Sequence, residues 1–399
     1  MGARFLVVHL GDDEGDGGAG PACGAAPLDG CCSVPYDPAM RLAFLADASL
    51  PHTVRWVNHF ARRGHDCLLL SLEPGSGYEC AFEPLPAHAG WPRFLRYTLE
   101  IQRAAARLRA FAPGVVNAHF VPNYGWMAVR AGLHPLVVTT LGSDVLTVPS
   151  QSPLHRWRTA HVLQRADAVT SDAHMLTDAI LGFGVAGYAV TTVPFGIEAT
   201  RFATPPVRDQ SIVTLFSSRR LEPVYDVGTL VRAWARLSPE ERRQMPLRIA
   251  GTGSETAALQ AQGAPLGANF VGWLATPELD RELAGAQIYV STSKSDSTSV
   301  SLLEAMAAGC FPVVSDLPAN QEWVEHERTA LLFPPGDDAA LAACLRRAAA
   351  DPALRSRAAE QNRATVRERA TWESNMAVIE ALFERLAGLA TVRPERPPH

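Results

Sequence analysis

The chain has 399 residues, 47% hydrophobic and 19% charged, with a formal net charge of −5. That length favours two or more domains with ample material for separate cores, and the negative balance argues against a broad nucleic-acid-binding surface. Seven cysteines (Cys23, Cys31, Cys32, Cys67, Cys80, Cys310 and Cys344) make no pair of CxxC motifs, which argues against a zinc ribbon. They read as unpaired thiols of a reducing, cytoplasmic compartment, and no apolar run reaches the ~18 residues of a membrane span.

The first forty residues stand apart. "GDDEGDGGAGPACGAAPLDG" is rich in Gly, Asp and Ala, and has no basic start followed by an apolar core. It is therefore no signal peptide and reads as a poorly ordered extension over 1–40. Met40 directly precedes the first convincing strand and is a candidate physiological start, although "ARFLVVHL" near residue 4 also has a strand pattern.

From Arg41 short apolar runs alternate with helical patterns. "RLAFLAD" predicts a buried strand, "HTVRWVNHFARRG" a helix ended by Gly64, and "HDCLLLSL" a second strand. A Pro/Gly-rich loop follows, then one long helix from Trp91 to about Ala110. "GVVNAHF", "PLVVTTLG", "ADAVTSD" and "YAVTTVPFG" complete a first half. "RFATPPVRDQ" has two prolines and no period, so it reads as a linker. The alternation restarts near Ser211 with strands in "SIVTLFSSRRL", "PLRIAGTG", "ANFVGWL", "AQIYVSTS" and "CFPVVSD". Apolar strands alternating with helices predict parallel βαβ units with both sheet faces covered. The result is an α/β protein of two Rossmann-like domains, 41–205 and 206–370, with ligands at the carboxyl ends of the strands in the cleft between them.

The segment "SDSTSVSLLEAMAAGCFPVVSD" carries the chemistry. A Ser/Thr turn leads into a helix from Ser299 to Ala308, stopped by Gly309. A helix start offers unpaired N–H groups and about half a positive charge, which suits a diphosphate. Asp296 in the turn and Glu304 in the helix are poor phosphate ligands but good acceptors for sugar hydroxyls.

This segment resembles the signature of glycosyltransferase family 4: an acid, seven residues, a Glu, then "EAMAxGxPVV". "RRLEPVYDVGTLVRAW", "IAGTGSE", "NFVGWL", "HTVRWVNHFARRGHD", "VVNAHF", "VVTTLGSDVL" and "VPFGIEATRF" are similar to further family segments. "TWESNMAVIEALFERL" resembles the closing helix (371–388) that returns to the first domain in the GT-B fold. Asp296 stands where Glu is usual, "STS" replaces glycine–aromatic–glycine, and one residue is added before Pro312.

The resemblance implies a retaining transferase that takes a sugar from a UDP- or GDP-sugar co-substrate to an acceptor hydroxyl, with no cofactor and no metal. It implies that Glu304 holds the donor ribose, that Asp296 contacts the transferred sugar, and that backbone N–H groups near Ser299, Val300 and Ser301 hold sugar and phosphates. Arg220 would neutralise the diphosphate. Gly251 and Gly253 would let the backbone pass near the nucleotide, or simply make a tight turn. The family's lysine for the diphosphate is replaced here by Tyr225, and Lys294 is the nearest candidate substitute. His119, at the end of "VVNA", would lie against the donor sugar, with a satisfied core histidine as the alternative. His52 and Arg55 would face the acceptor or the donor phosphate, and Asp144 would line the same cleft on the acceptor side or serve as a plain helix N-cap. Trp56 and Trp126 read as core.

Arg93, Arg96, Arg103, Arg107 and Arg109 ride on the helix from Trp91. They form either a solvated face or a contact with an anionic membrane, of the kind family members with lipid-linked acceptors make. A nucleotide-sugar epimerase on the same fold and a non-catalytic sugar-nucleotide-binding protein are the rival readings.

Overall fold

The computed structural model describes residues 39–86, 90–204, 206, 208 and 212–392. The expectations for the extension ahead of Met40, and three of the cysteines, lie outside the described residues. The four described cysteines are free thiols.

Thirteen strands form two all-parallel sheets among the described residues. The first contains β1 (Arg41–Leu45), β2 (Asp66–Ser71), β3 (Ala81–Pro84), β4 (Val115–His119), β5 (Leu136–Thr139), β6 (Ala168–Ser171) and β7 (Val190–Thr192), in the order β3-β2-β1-β4-β5-β6-β7. The second contains β8 (Leu215–Ser217), β9 (Leu247–Ala250), β10 (Asn269–Gly272), β11 (Ile288–Ser291), β12 (Phe311–Ser315) and β13 (Leu331–Phe333), in the order β10-β9-β8-β11-β12-β13.

The central strands bury both faces, and the period-2 alternation divides their residues between two apolar layers. In the first sheet Ala43, Leu45, Leu68, Leu70, Val116 and Val138 face one layer, and Leu42, Phe44, Leu69, Val115 and Val137 the other. In the second, Leu215, Ile249, Val290 and Val313 face one layer and Phe216, Ala250, Tyr289 and Val314 the other.

Two strands escaped the sequence reading. β3 lies at a sheet edge, carries Glu83 and ends in Pro84, so it has no apolar run; proline is tolerated there because an edge needs fewer donors. β13 is only three residues long. The predicted long helix is also two helices, Arg93–Leu99 and Ile101–Phe111, joined at Glu100, whose side chain is buried and pairs with Arg103 at 3.5 Å.

The chain crosses between the sheets twice. At the crossing the Ile197 N–H donates to the Ala370 carbonyl (2.9 Å) and the Trp372 N–H to the Ile197 carbonyl (2.6 Å). The helix Trp372–Val392 then returns to the first sheet, where Trp372, Met376, Ile379, Leu382 and Phe383 close one of its apolar layers. Phe383 is fully buried and stacks on Phe60 with ring centroids 5.1 Å apart, and Glu380 accepts from Arg63 (2.9 Å) and His65 (2.8 Å).

Phe383→Ala is expected to destabilise the first domain by about 3–5 kcal/mol, the usual cost of deleting a buried ring. Urea unfolding followed by tryptophan fluorescence measures it; a midpoint shift worth well under 1 kcal/mol would mean that this helix does not close the core.

Candidate active site

The carboxyl ends of the two sheets meet along a seam. After β6, Asp172 of the first domain accepts from the Ser297 hydroxyl of the second (2.9 Å), and its carbonyl accepts from the Thr298 hydroxyl. Gly142, at φ 91°, lies against Ser297, where a Cβ would press on the hydroxyl oxygen. Glu322 of the second domain accepts from the N–H groups of His174 (2.9 Å) and Met175 (2.8 Å), capping the helix His174–Leu181 of the first. The acidic turn singled out in the sequence is therefore also the surface that joins the domains.

The helix Val300–Ala308 starts at this seam. Ser299 is its N-cap and accepts from the Leu302 N–H (3.3 Å), and Gly309 ends it at φ 77°. The guanidinium beside this start belongs to Arg219, not to Arg220. Arg219 donates to the hydroxyls of Ser299 (2.5 Å) and Ser301 (2.8 Å) and to Asp296 Oδ2 (2.6 Å). Tyr289, fully buried, donates to Ser301 from below (2.8 Å). Arg220 has a side chain 69% exposed and pairs with Glu222 at 3.6 Å. The structure therefore places Arg219, not the expected Arg220, at this helix start: at the exit from β8 one residue of the pair turns inward and the next outward.

Gly251 and Gly253 explain how that exit is held. A Cβ at Gly251 would collide with the Arg219 carbonyl, and one at Gly253 with the Leu221 carbonyl. Gly251 also sits at φ 115°, where side-chain-bearing residues are strained. The glycines let the end of β9 press on the segment carrying Arg219.

Glu304 faces inward and is 8% exposed. Its Oε1 accepts from Arg201 (2.7 Å), which also pairs with Asp280 (2.5 Å). Burial pushes the Glu304 carboxyl up and Arg201 pulls it down. Arg201 lies just beyond the crossing; the sequence reading placed it in a family-like segment and at the start of the linker but gave it no role.

The expected acceptor-side residues are less accessible than anticipated. Arg55 pairs with Glu198 (2.8 Å), donates to the Gly196 carbonyl (3.1 Å) and stacks over Trp372 at 3.8 Å, so it braces the crossing. Asp144 is fully buried; its carboxylate accepts from the N–H groups of Val121 and Leu141 (both 3.0 Å), which ties two loops together and leaves no surface for an acceptor. Its pKa rises to about 6 through burial. His52 is held neutral by burial, with its pKa lowered to about 4 and its Nε2 unpartnered. Lys294 pairs with Asp226 at 3.3 Å. Trp56 is core, whereas Trp126 is half-buried beside Trp157 and Arg158.

At the end of β4 the hydrogen-bond network fixes the His119 tautomer. Asn117 Nδ2 donates to the Val137 carbonyl and to Thr139 Oγ1, so its Oδ1 must accept from Trp56 Nε1 (3.1 Å) and His119 Nε2 (2.9 Å). His119 Nδ1 then carries a lone pair, and it is buried without a partner. Burial lowers the pKa to about 3, so the ring stays neutral at physiological pH. Among the described residues no group of three or more His, Cys, Asp or Glu could hold a metal ion.

Asp172 gives the seam a pH dependence. Burial raises its pKa to about 7; the Ser297 bond opposes the rise, and the nearby Asp296 and Asp144 add to it. The folded chain keeps a proton that the unfolded chain releases near pH ~4, so this group costs nothing below that value and progressively destabilises the fold as pH rises to about 7. Asp172→Asn keeps an acceptor for Ser297 and removes the ionisation. Its melting temperature should fall less than that of the unsubstituted protein as pH rises from about 4 to about 7; parallel curves by differential scanning fluorimetry would count against this role.

Residues 211–351 match the family described as Glycosyl transferases group 1, and residues 41–173 match Glycosyl transferase 4-like. A GDP-mannose-dependent alpha-mannosyltransferase of Mycobacterium tuberculosis is 23% identical over 333 residues, covering 75% of this chain and 85% of its own length. The sucrose-phosphate synthase of Thermosynechococcus elongatus superposes with a TM-score of 0.75 at 20% identity, over 88% of this chain and 100% of its own. Anabaena HepE, solved with UDP and glucose, superposes with a TM-score of 0.69 at 18% identity, over 86% and 99%. The two family matches fall on the two domains, and the facing parallel sheets are the GT-B arrangement: the chain is a glycosyltransferase of the family 4 type.

Proposed function

We propose that this protein is a retaining glycosyltransferase that uses a UDP- or GDP-sugar and transfers the sugar to an acceptor hydroxyl without a metal ion. The observation that carries the reading is the start of the helix Val300–Ala308, set at the end of β11 and facing the first domain. There the unpaired N–H groups and the helix dipole offer a seat for a leaving diphosphate. One relative is named for a GDP-sugar and one neighbour was solved with UDP, which supports the donor class and leaves both bases open.

In this reading Glu304, steadied by Arg201, accepts from the ribose hydroxyls. His119 Nδ1, a lone pair at the end of β4, accepts from a hydroxyl of the transferred sugar. Asp296 takes another sugar hydroxyl. The acceptor attacks on the face from which the diphosphate departs, and the leaving phosphate takes the acceptor's proton. The chain's contribution is positioning and electrostatic stabilisation.

Glu304→Ala should lower turnover by about a hundredfold, a magnitude typical of losing one preorganised polar contact. Release of nucleoside diphosphate from a panel of UDP- and GDP-sugars is the assay, with circular dichroism to confirm folding. Near-normal turnover by a folded variant would remove Glu304 from the site.

The cytoplasm, at the inner face of a membrane, is the location this reading favours. None of the described helices is long and apolar enough to cross a membrane. Trp91 and Leu99, 55% and 48% exposed, flank the helix that carries Arg96, an apolar and basic combination suited to an anionic surface. The protein should co-sediment with anionic vesicles at low salt and not with neutral ones; no co-sedimentation ends the membrane reading.

A further inference from the structure

The helix Val300–Ala308 has a second end. Its amino end, at Ser299, faces the seam. Its carboxyl end, at Gly309, lies about 14 Å away along the helix axis. That end borders a pocket of about 360 Å³. The pocket is lined by Gln287 and Gly309, which precede β11 and β12, by Arg208 of the linker, and by Arg355, Ser356 and Arg363 of the helix Pro352–Arg369. Three arginines thus share one pocket, and no carboxylate is among its described lining residues. We propose that this pocket is a second anion site, which takes a phosphate-bearing small molecule between the linker and the helix Pro352–Arg369.

Charge balance is the first argument. Elsewhere in the chain, withdrawn arginines meet carboxylates: Arg201 meets Glu304 and Asp280, and Arg219 meets Asp296. In the pocket Arg208 donates to the carbonyls of Leu283 (3.0 Å) and Ala308 (2.7 Å), and Arg355 to those of Ala348 (2.5 Å) and Ala349 (2.8 Å). These two cations cap the negative ends of helices, which satisfies their donors without neutralising their charge. Arg363 has no such duty. Among the described residues no hydrogen bond or ion pair holds it, and its Nε, like that of Arg208, is buried without a partner. Burial, and after it the neighbouring Arg208 charge, lower the Arg363 pKa. Glu360 and Asp351, the acids that act on Arg363 and Arg355, are not among the lining residues, and Asp351 is engaged with the Leu354 N–H at 2.8 Å.

Shape is the second argument. Gly309 sits at φ 77°, and a Cβ there would overlap the Arg363 guanidinium. Glycine therefore lets that guanidinium lie close against the helix end, beside Arg208. Two guanidiniums side by side repel each other, and an oxyanion placed between them turns the repulsion into two attractions. Their planar forks match phosphate oxygens. Ser356 adds a hydroxyl and Gln287 an amide at the rim. The volume is that of a small-molecule site. Arg208 lies in the segment that follows the first crossing, and Arg363 shortly precedes Ala370 at the second. A bound phosphate consequently ties the two crossing segments to each other.

Hydrogen–deuterium exchange of the full chain tests this, with inorganic phosphate or glycerol 3-phosphate added and chloride at equal ionic strength as the control. Either phosphate should slow exchange across residues 352–369 and in the peptide that carries Arg208, and chloride should not. The one that acts at the lower concentration tells free phosphate from a phosphate ester. Arg363→Gln removes a charge that no bond uses. It should raise the concentration giving half of the protection by about tenfold, as expected for losing a charged hydrogen-bond donor. Ser356→Glu sets a carboxylate in the pocket from an exposed helix position and should abolish the protection. Three results would each overturn the inference: no protection by either phosphate, protection confined to residues 296–302 at the other end of the helix Val300–Ala308, or an unchanged response in a folded Arg363→Gln. The readout is local to the pocket, so its outcome stands apart from that of the donor site.

Discussion

A helix that begins inside a protein must find partners for its first N–H groups, and the helix Val300–Ala308 begins where two domains meet. Ser299 satisfies one N–H, and the surrounding polar groups are arranged about the positive end that remains. Residues 296–299 consequently do two things at once. Asp296 and Ser299 hold Arg219, while Ser297 and Thr298 hold Asp172 of the other domain. The place that attracts an anion and the place that closes the domains are a single turn, so a ligand seated there cannot leave the domain contact unaffected.

The second shared element is the crossing. Arg55 of the first domain pairs with Glu198 at the crossing, Arg201 follows three residues later, and Arg201 holds Glu304 and Asp280 of the second domain. Signs alternate along this path, and most of its members are at least partly withdrawn from water. A buried charge without a partner is expensive, so each residue constrains the next. Hinge geometry and the orientation of Glu304 are linked by that chain of pairs. Gly196, at φ 69°, packs so closely on the Ala370 and Thr371 backbone that a side chain there would force the two crossings apart.

Much of the fold was legible because strands of a parallel sheet buried on both faces must be apolar at nearly every position. "RLAFL", "CLLLS" and "FPVVS" announce themselves in that way. β3 did not, because an edge strand ending in proline has less to bury, and the break at Glu100 did not, because no proline or glycine marks it. At the site, Asp296, Glu304 and the capped helix start were readable from acid, Ser/Thr turn and apolar run. Arg201 was not, because a charged residue in a linker gives no local sign of what it will pair with.

The sequence by itself determined the two alternating α/β halves and the acid–turn–helix segment. All of these follow from local periodicity and capping chemistry, which act within a few residues. Only the tertiary structure decided which of two adjacent arginines enters the site, that Asp144 spends its carboxylate on loop N–H groups, and that Arg55 braces a crossing rather than facing open space. Those outcomes depend on partners far along the chain: Asp296 for Arg219, Val121 for Asp144, Glu198 for Arg55. Neighbours of equal charge look alike in sequence, and it is the direction in which the backbone leaves a strand that separates them.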